Sequence, residues 1–358
     1  MAALGNGQLF LGSTGAVSYT ATTLGAGTDG VYRLGGGSGA RSGFAPASIL
    51  TFGGTDNLFT GARSVVIGST NLSQTSDARG ASTVVLRNPN DYSGGTTLVG
   101  GTLAVGHDGA LGSGALTITL GHLNSDNGAR TIANPVVFSS PAGAALYFGG
   151  AENLTLTGTV NLGGTAHLFF GQNPRTIFTN TMSNGAVTLV GGAWTLAGTN
   201  SFSGGLFLAD NAVLDFSRDG NLGAAGSPLT FQGGVLRPAA PLSTPRPVSV
   251  SSFGGFIDTD GQTLTFTGAV SGGGPLTKKG TGTLIFSGGG KTFGTVTIRQ
   301  GTLRLDNTGS ANGMQVIVQN GGTFGGNGSA GLPHFPQERT SRPARTRPAV
   351  SFSTATST

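Results

Sequence analysis

Short runs in which apolar and small polar residues alternate recur along this chain, each closed by glycine or asparagine. Examples are SVVIG at 64–68, TVVL at 83–86, NLTLTGTV at 153–160, TLTFTGAV at 263–270 and TVTIRQGTLRL at 295–305. A period of two is the signature of a β-strand with one buried and one wet face. The pattern therefore sends Leu154 and Leu156, or Leu264 and Phe266, to one side and the intervening threonines to the other. Glycine and asparagine between the runs supply the positive φ that sharp turns require.

The runs also repeat over a longer distance. NLTLTGTVNLGG at 153–164 returns as TLTFTGAVSGGG at 263–274, and DYSGG at 91–95 returns as SFSGG at 201–205 with the same displacement. A later copy, GTLIFSGGGKTFGTVTIRQGTLRL, follows at a shorter interval. Units of this kind hold several coils if a coil takes roughly 20 to 25 residues, as in other β-solenoids. One coil cannot bury its own apolar face, whereas stacked coils close a continuous interior.

Composition narrows the choice further. Of 358 residues, 67 are glycine, only 9% are charged and 37% are hydrophobic. A disordered linker would not carry so much Val, Leu, Ile and Phe. A helical domain would not accept so much glycine, each interior one costing about 1 kcal/mol relative to alanine. With no cysteine there is no disulfide framework, thiolate metal site or cysteine nucleophile.

Three stretches resemble the autotransporter-associated β-strand repeat. TVVLRNPNDYSGGTTLVGGTL at 83–103 carries Tyr92, Gly94, Gly95, Thr96, Thr97, Gly101, Thr102 and Leu103 of its pattern. KGTGTLIFSGGGKTFGTVTIRQGTL at 279–303 keeps Gly280, Gly282, Thr283, Leu284, Ser287, Gly288, Phe293, Gly301, Thr302 and Leu303. A degenerate copy at 194–214 retains Asn200, Phe202, Gly204 and Gly205. The likeness extends over roughly residues 30 to 330. It implies an all-β, right-handed parallel β-helix in the passenger region of a secreted or outer-membrane-anchored protein.

The expected organisation is a β-helix repeat domain over 1–330 and a disordered Pro/Arg-rich tail over 331–358. The tail, with LPHFPQERTSRPARTRPAV, breaks so sharply with the preceding style that it also fits a stretch read out of frame. Its Arg339, Arg342, Arg345 and Arg347 against Glu338 account for three of the five net positive charges. The remainder is too nearly neutral for the basic stripe that nucleic acid requires. The opening MAALGNGQLFLGSTGAVSYT lacks a basic segment followed by an apolar core, and no run approaches the roughly 20 apolar residues of a membrane helix. A signal and an anchor are expected outside these residues, with no membrane insertion by this segment.

Parallel β-helices include polysaccharide lyases and hydrolases, which makes the carboxylates the first candidates for chemistry. Asp258 and Asp260 share a face if extended, as a paired acid and base would, but FIDTDGQTLTF reads more simply as a turn. Asp210, Asp215 and Asp219 cluster in sequence with no His or Glu beside them. Gly290, Lys291 and Thr292 end like a phosphate-binding loop, yet Ile285 stands where glycine is needed and a strand follows. GGGSGARSG at 35–43 lacks the Asp of a calcium-binding glycine repeat. His107, His122, His167 and His334 show no metal-ligand spacing. Trp194, Tyr147, Phe169 and Phe170 either stack inside or line an outer sugar-binding face, and alternation alone does not choose.

No catalytic residue, metal ligand or cofactor is therefore assigned, and the binding residues stay unknown. The leading expectation is a non-enzymatic structural or adhesive segment whose partners are surface glycans, matrix or further copies of itself. A polysaccharide-active or carbohydrate-binding β-helix protein is the alternative.

Overall fold

The computed structural model describes residues 9–35, 48–68, 82–289, 292–306 and 314–327. Among them every regular element is a strand except one 3₁₀ turn, Asp219–Leu222. The paired strands run parallel throughout, so the all-β parallel solenoid read from the sequence is the fold. The chain forms two compact units, Met1–Val187 and Thr188–Thr358. The tail over 331–358 and His334 lie outside the described residues.

In the first unit one ladder runs through Ala16–Tyr19, Ile49–Phe52, Thr83–Leu86, Thr102–Val105, Gly121–Ser125, Ala145–Gly150 and the end of Val160–Gly171. A second runs through Val31–Leu34, Ser64–Ile67, Thr96–Leu98, Leu116–Ile118, Val136–Phe138 and the beginning of Val160–Gly171. A third ladder, Arg130–Ile132, Leu154–Leu156 and Thr176–Phe178, joins them. The register stacks like on like: Leu50, Val84, Leu103, Leu123 and Phe148 form one inward column, and all are buried. Each such side chain taken from water contributes about 1.5–3 kcal/mol, which is why the apolar phase of every strand faces inward.

The second unit has an equivalent ladder through Ala193–Leu196, Val213–Phe216, Val235–Pro238, Gly255–Asp258, Leu276–Lys279, Thr295–Ile298 and Gln315–Val318. Two further ladders complete it, one through Leu206–Ala209, Leu229–Gln232 and Val248–Val250, the other through Leu242–Thr244, Thr263–Phe266, Thr283–Phe286, Gly301–Leu305 and Gly322–Gly326. As the alternation requires, Leu154, Leu156, Leu264 and Phe266 are fully buried, while Thr155 and Thr265 are partly exposed.

Coil length matches the sequence estimate only after the first two coils. Ala16 pairs with Ile49 and Ile49 with Thr83, so each of these coils is longer than the estimate. From Thr83 onward the coils shorten to the expected size, Thr83 pairing with Thr102 and His122 with Tyr147. The additional length falls in 36–47 and 69–81, outside the described residues.

Corners are closed by buried side-chain amides as well as by glycine. Asn221 accepts from the Ser217 and Arg218 N–H groups at 3.0 Å each and donates to Gly198 O at 2.9 Å. Asn134 donates to Gly112 O and Gly114 O at 3.0 and 2.6 Å. Backbone groups that leave the ladder at a turn thus keep partners.

Candidate binding surface

The carboxylates singled out in the sequence do not converge. Asp258 Oδ1 accepts from the Asp260 N–H at 3.3 Å, and Asp260 sits at φ 43°; this is the local turn expected of FIDTDG. Asp215 is bound by Arg237 through Nε at 2.5 Å and Nη2 at 2.9 Å. That bonding, with further attraction from Asp258 and Asp260, raises the Arg237 pKa above its ordinary value. Because Asp258 pairs in register with Lys279, the outer side of the ladder alternates in charge and neutralises itself strand by strand. Asp219 faces another corner, and Asp210 occupies a turn at φ 47°.

The histidines are dispersed too. His107 accepts from the Gly109 N–H at 3.0 Å in an exposed turn, His122 lies on an outer face, and His167 is fully buried. Among the described residues no group of three or more metal-binding side chains is close enough to hold an ion. Gly290 and Lys291 lie outside the described residues, but the strands Thr292–Phe293 and Thr295–Ile298 follow where a phosphate-binding loop needs a helix. Of the glycine stretch 35–43 only Gly35 is described.

The four aromatics divide by strand phase. Trp194 and Phe169 point inward and are fully buried, the Trp194 indole N–H donating to Gly191 O at 2.6 Å. Tyr147 and Phe170 point outward in register with His122. The imidazole and phenol rings lie 4.3 Å apart and 7° from parallel, the Tyr147 and Phe170 rings 4.9 Å and 24°. A sugar docks its flat C–H face on a free ring face, and both faces of Tyr147 are taken by its neighbours. The stack therefore stabilises the outer wall, and Tyr147 presents only its edge outward.

Two buried cations escaped the sequence reading. Arg246, 1% exposed, donates through Nε and Nη2 to the Asp219 carboxylate at 2.8 and 3.1 Å. It also reaches the carbonyls of Leu222, Gly223, Ala224 and Ser227. Lys278, fully buried, stands in an inward column between Ile257 and Ile298. Its ammonium donates to the carbonyls of Lys279, Gly280 and Gln300 at 2.8, 2.7 and 3.0 Å. Burial brings its pKa down to about 8, against a smaller upward pull from Asp258. The one available signal was strand phase: Lys278 follows Leu276 on the inward positions of LTKKG.

Repeated coils without a convergent cluster, with salt bridges satisfied locally at Arg33–Asp29, Arg87–Asp126 and Arg237–Asp215, define a repeat scaffold. Comparison with known proteins gives the scaffold its family. The passenger-associated-transport-repeat family matches residues 78–105, 191–210 and 276–305, overlapping all three copies read from the sequence. The adhesin BmaC autotransporter of Brucella suis biovar 1 (strain 1330) is 31% identical over 288 residues, covering 77% of this chain. The chain spans 7% of that relative's length. No solved structure matches. The chain thus carries three passenger-associated-transport repeats and is consistent with an autotransporter passenger repeat protein. Among its described residues no helix is long and apolar enough to cross a membrane.

Proposed function

We propose that this chain is a non-catalytic, surface-displayed or secreted passenger segment that acts by adhesion. The similarity to an adhesin across 77% of the chain carries this reading. The architecture supports it physically. A solenoid presents the same outward positions coil after coil, such as Thr83 and Thr102 in register. Weak contacts repeated along one face add through high effective concentration rather than through one deep pocket. Surface glycans, extracellular matrix and other copies of the chain are the partners such a face fits, and nucleic acid is not among them.

The test is to display residues 1–358 on a non-adherent bacterium. Retention on matrix-coated and glycan-coated surfaces, and cell–cell clumping, are then measured against the same host displaying an unrelated β-solenoid. Retention or clumping several-fold above the control is expected. Equality with the control on all three measures overturns the adhesive reading.

A further inference from the structure

We propose that His167 is an acid-sensitive latch, holding the corner of the strand Val160–Gly171 closed at neutral pH and releasing it, with its apolar interior, when the imidazole takes a second proton. The strand turns at Gly163 and Gly164, both in left-handed conformation at φ 65° and 79°. A Cβ on Gly163 would collide with Phe138 O, so this corner is packed too closely for a side chain. Across it, His167 Nε2 lies 2.7 Å from Leu162 O and 3.1 Å from Thr165 Oγ1. Leu162 O can only accept, so Nε2 carries the proton and the neutral ring bridges the two limbs of the turn.

The other ring nitrogen is where a second proton must go. Nδ1 is buried and has no hydrogen-bond partner among the described residues. The ring packs 5.3 Å from Phe138 and 6.2 Å from Phe169, centroid to centroid. Its ring partners lie on Val136–Phe138 and Val160–Gly171, and the strand that carries it is flanked by the segment 139–144, by Ala145–Gly150 and, through Gly185, by the segment 182–187. None of these contains Asp, Glu, Lys or Arg, and the phenol of Tyr147 is in the outer stack. An imidazolium here has no counter-charge, and its new N–H has no acceptor.

The sign follows from linkage. Burial lowers the His167 pKa below the ordinary value, outweighing the bond to Leu162. The open form, titrating near the ordinary histidine value of about 6.5, takes the proton first. Closure is fully favoured above that pH and is lost as pH falls toward the closed-state value. The corner opens locally, since a solenoid coil answers mainly to its neighbours.

Hydrogen exchange on the full chain, expressed as protection factors so that the intrinsic pH effect cancels, tests the latch. Between pH 7 and pH 5, amides at 162–168 are expected to lose protection several-fold, the direction set by the lowered His167 pKa, while those at 229–250 hold. His167→Gln, which can donate to Leu162 O without titrating, should abolish the acid response, as should His167→Phe. If the phenylalanine variant does not fold, the glutamine variant and an NMR titration of the wild-type imidazole decide. Unchanged protection at pH 5, an acid response that persists in the glutamine variant, or an imidazole titrating at or above about 6.5 overturns the proposal.

Discussion

Replacing Asp219 by alanine tests how the second unit tolerates a buried charge. The Arg246 side chain is 1% exposed and that of Asp219 27%. The substitution removes the carboxylate bound to the guanidinium and also the acceptor of the Thr244 hydroxyl at 2.6 Å. Stripping one partner from a buried pair costs about 3–5 kcal/mol, because the remaining charge stays desolvated. Carbonyls of Leu222, Gly223, Ala224 and Ser227 still solvate Arg246, so the expected loss is about 3 kcal/mol, at the lower end of that range. The control is Asp215→Ala, which removes a closer pair, Nε to Oδ1 at 2.5 Å, whose arginine side chain is 34% exposed. Water can replace the lost carboxylate there, and about 1 kcal/mol or less is expected. Guanidinium titration followed by circular dichroism gives the two losses, and hydrogen exchange locates the first around 216–250. Equal losses for the two variants would refute the premise that burial, rather than ion-pair distance, sets the cost.

Lys278→Met should cost about 1–3 kcal/mol at pH 7, since the carbonyls of Lys279, Gly280 and Gln300 lose their shared donor. Its pKa is lowered to about 8 from 10.5, so in the wild type stability should rise between those pH values, where the unfolded chain still binds the proton that the folded one has released. Thermal melts at pH 7 and pH 10 should show this rise and its absence in the methionine variant; a rise in both would assign it elsewhere. Gly301→Ala should destabilise by more than about 1 kcal/mol, because Gly301 lies at φ 71° and a Cβ there would collide with Gly280 O. Gly15→Ala, with open space and ordinary φ, should be neutral or slightly stabilising in the same melts. Asn221→Ala should cost about 1–3 kcal/mol by orphaning buried backbone groups, read as early exchange of the Ser217 and Arg218 amides.

Strand phase was the legible part of this molecule. In NLTLTGTV and TLTFTGAV the inward Leu154, Leu156, Leu264 and Phe266 could be named because each lies between small polar neighbours, and stacking in register carries the same rule from coil to coil. The turn at Asp258–Asp260 was legible for the same local reason, and the three repeat copies were placed, though not bounded, by theirs. What the pattern hid was anything fixed by the neighbouring coil rather than by the strand itself. Tyr147 and Phe170 are adjacent in space because one full coil separates their paired positions, a relation no period-two reading yields. Coil length was likewise obscured at the start, where Ala16 pairs with Ile49 and Ile49 with Thr83 across coils longer than those from Thr83 onward.

Charge burial was the hardest to read, and the reason is general to the architecture. A lysine in a strand is ordinarily placed on the wet face, since an unpaired ammonium cannot be buried. Lys278 is buried because the backbone of its own turn and of the next coil offers three carbonyls at one point, and Arg246 because the Asp219–Leu222 turn curls its carbonyls and carboxylate around one guanidinium. Both sets of carbonyls are backbone, which leaves no trace in residue identity. In a solenoid the turns supply such carbonyls at every corner, so an inward-phase cation beside a glycine turn, as in LTKKG, is better read as a corner clamp than as an error of phase. That reading requires the clamp to belong to its turn. Shifting the charge two positions along the strand, in Lys278→Leu combined with Leu276→Lys, moves the ammonium off the carbonyls of Lys279, Gly280 and Gln300 and should destabilise the second unit by at least as much as Asp219→Ala; a variant as stable as wild type would show that the column, and not this corner, accommodates the cation.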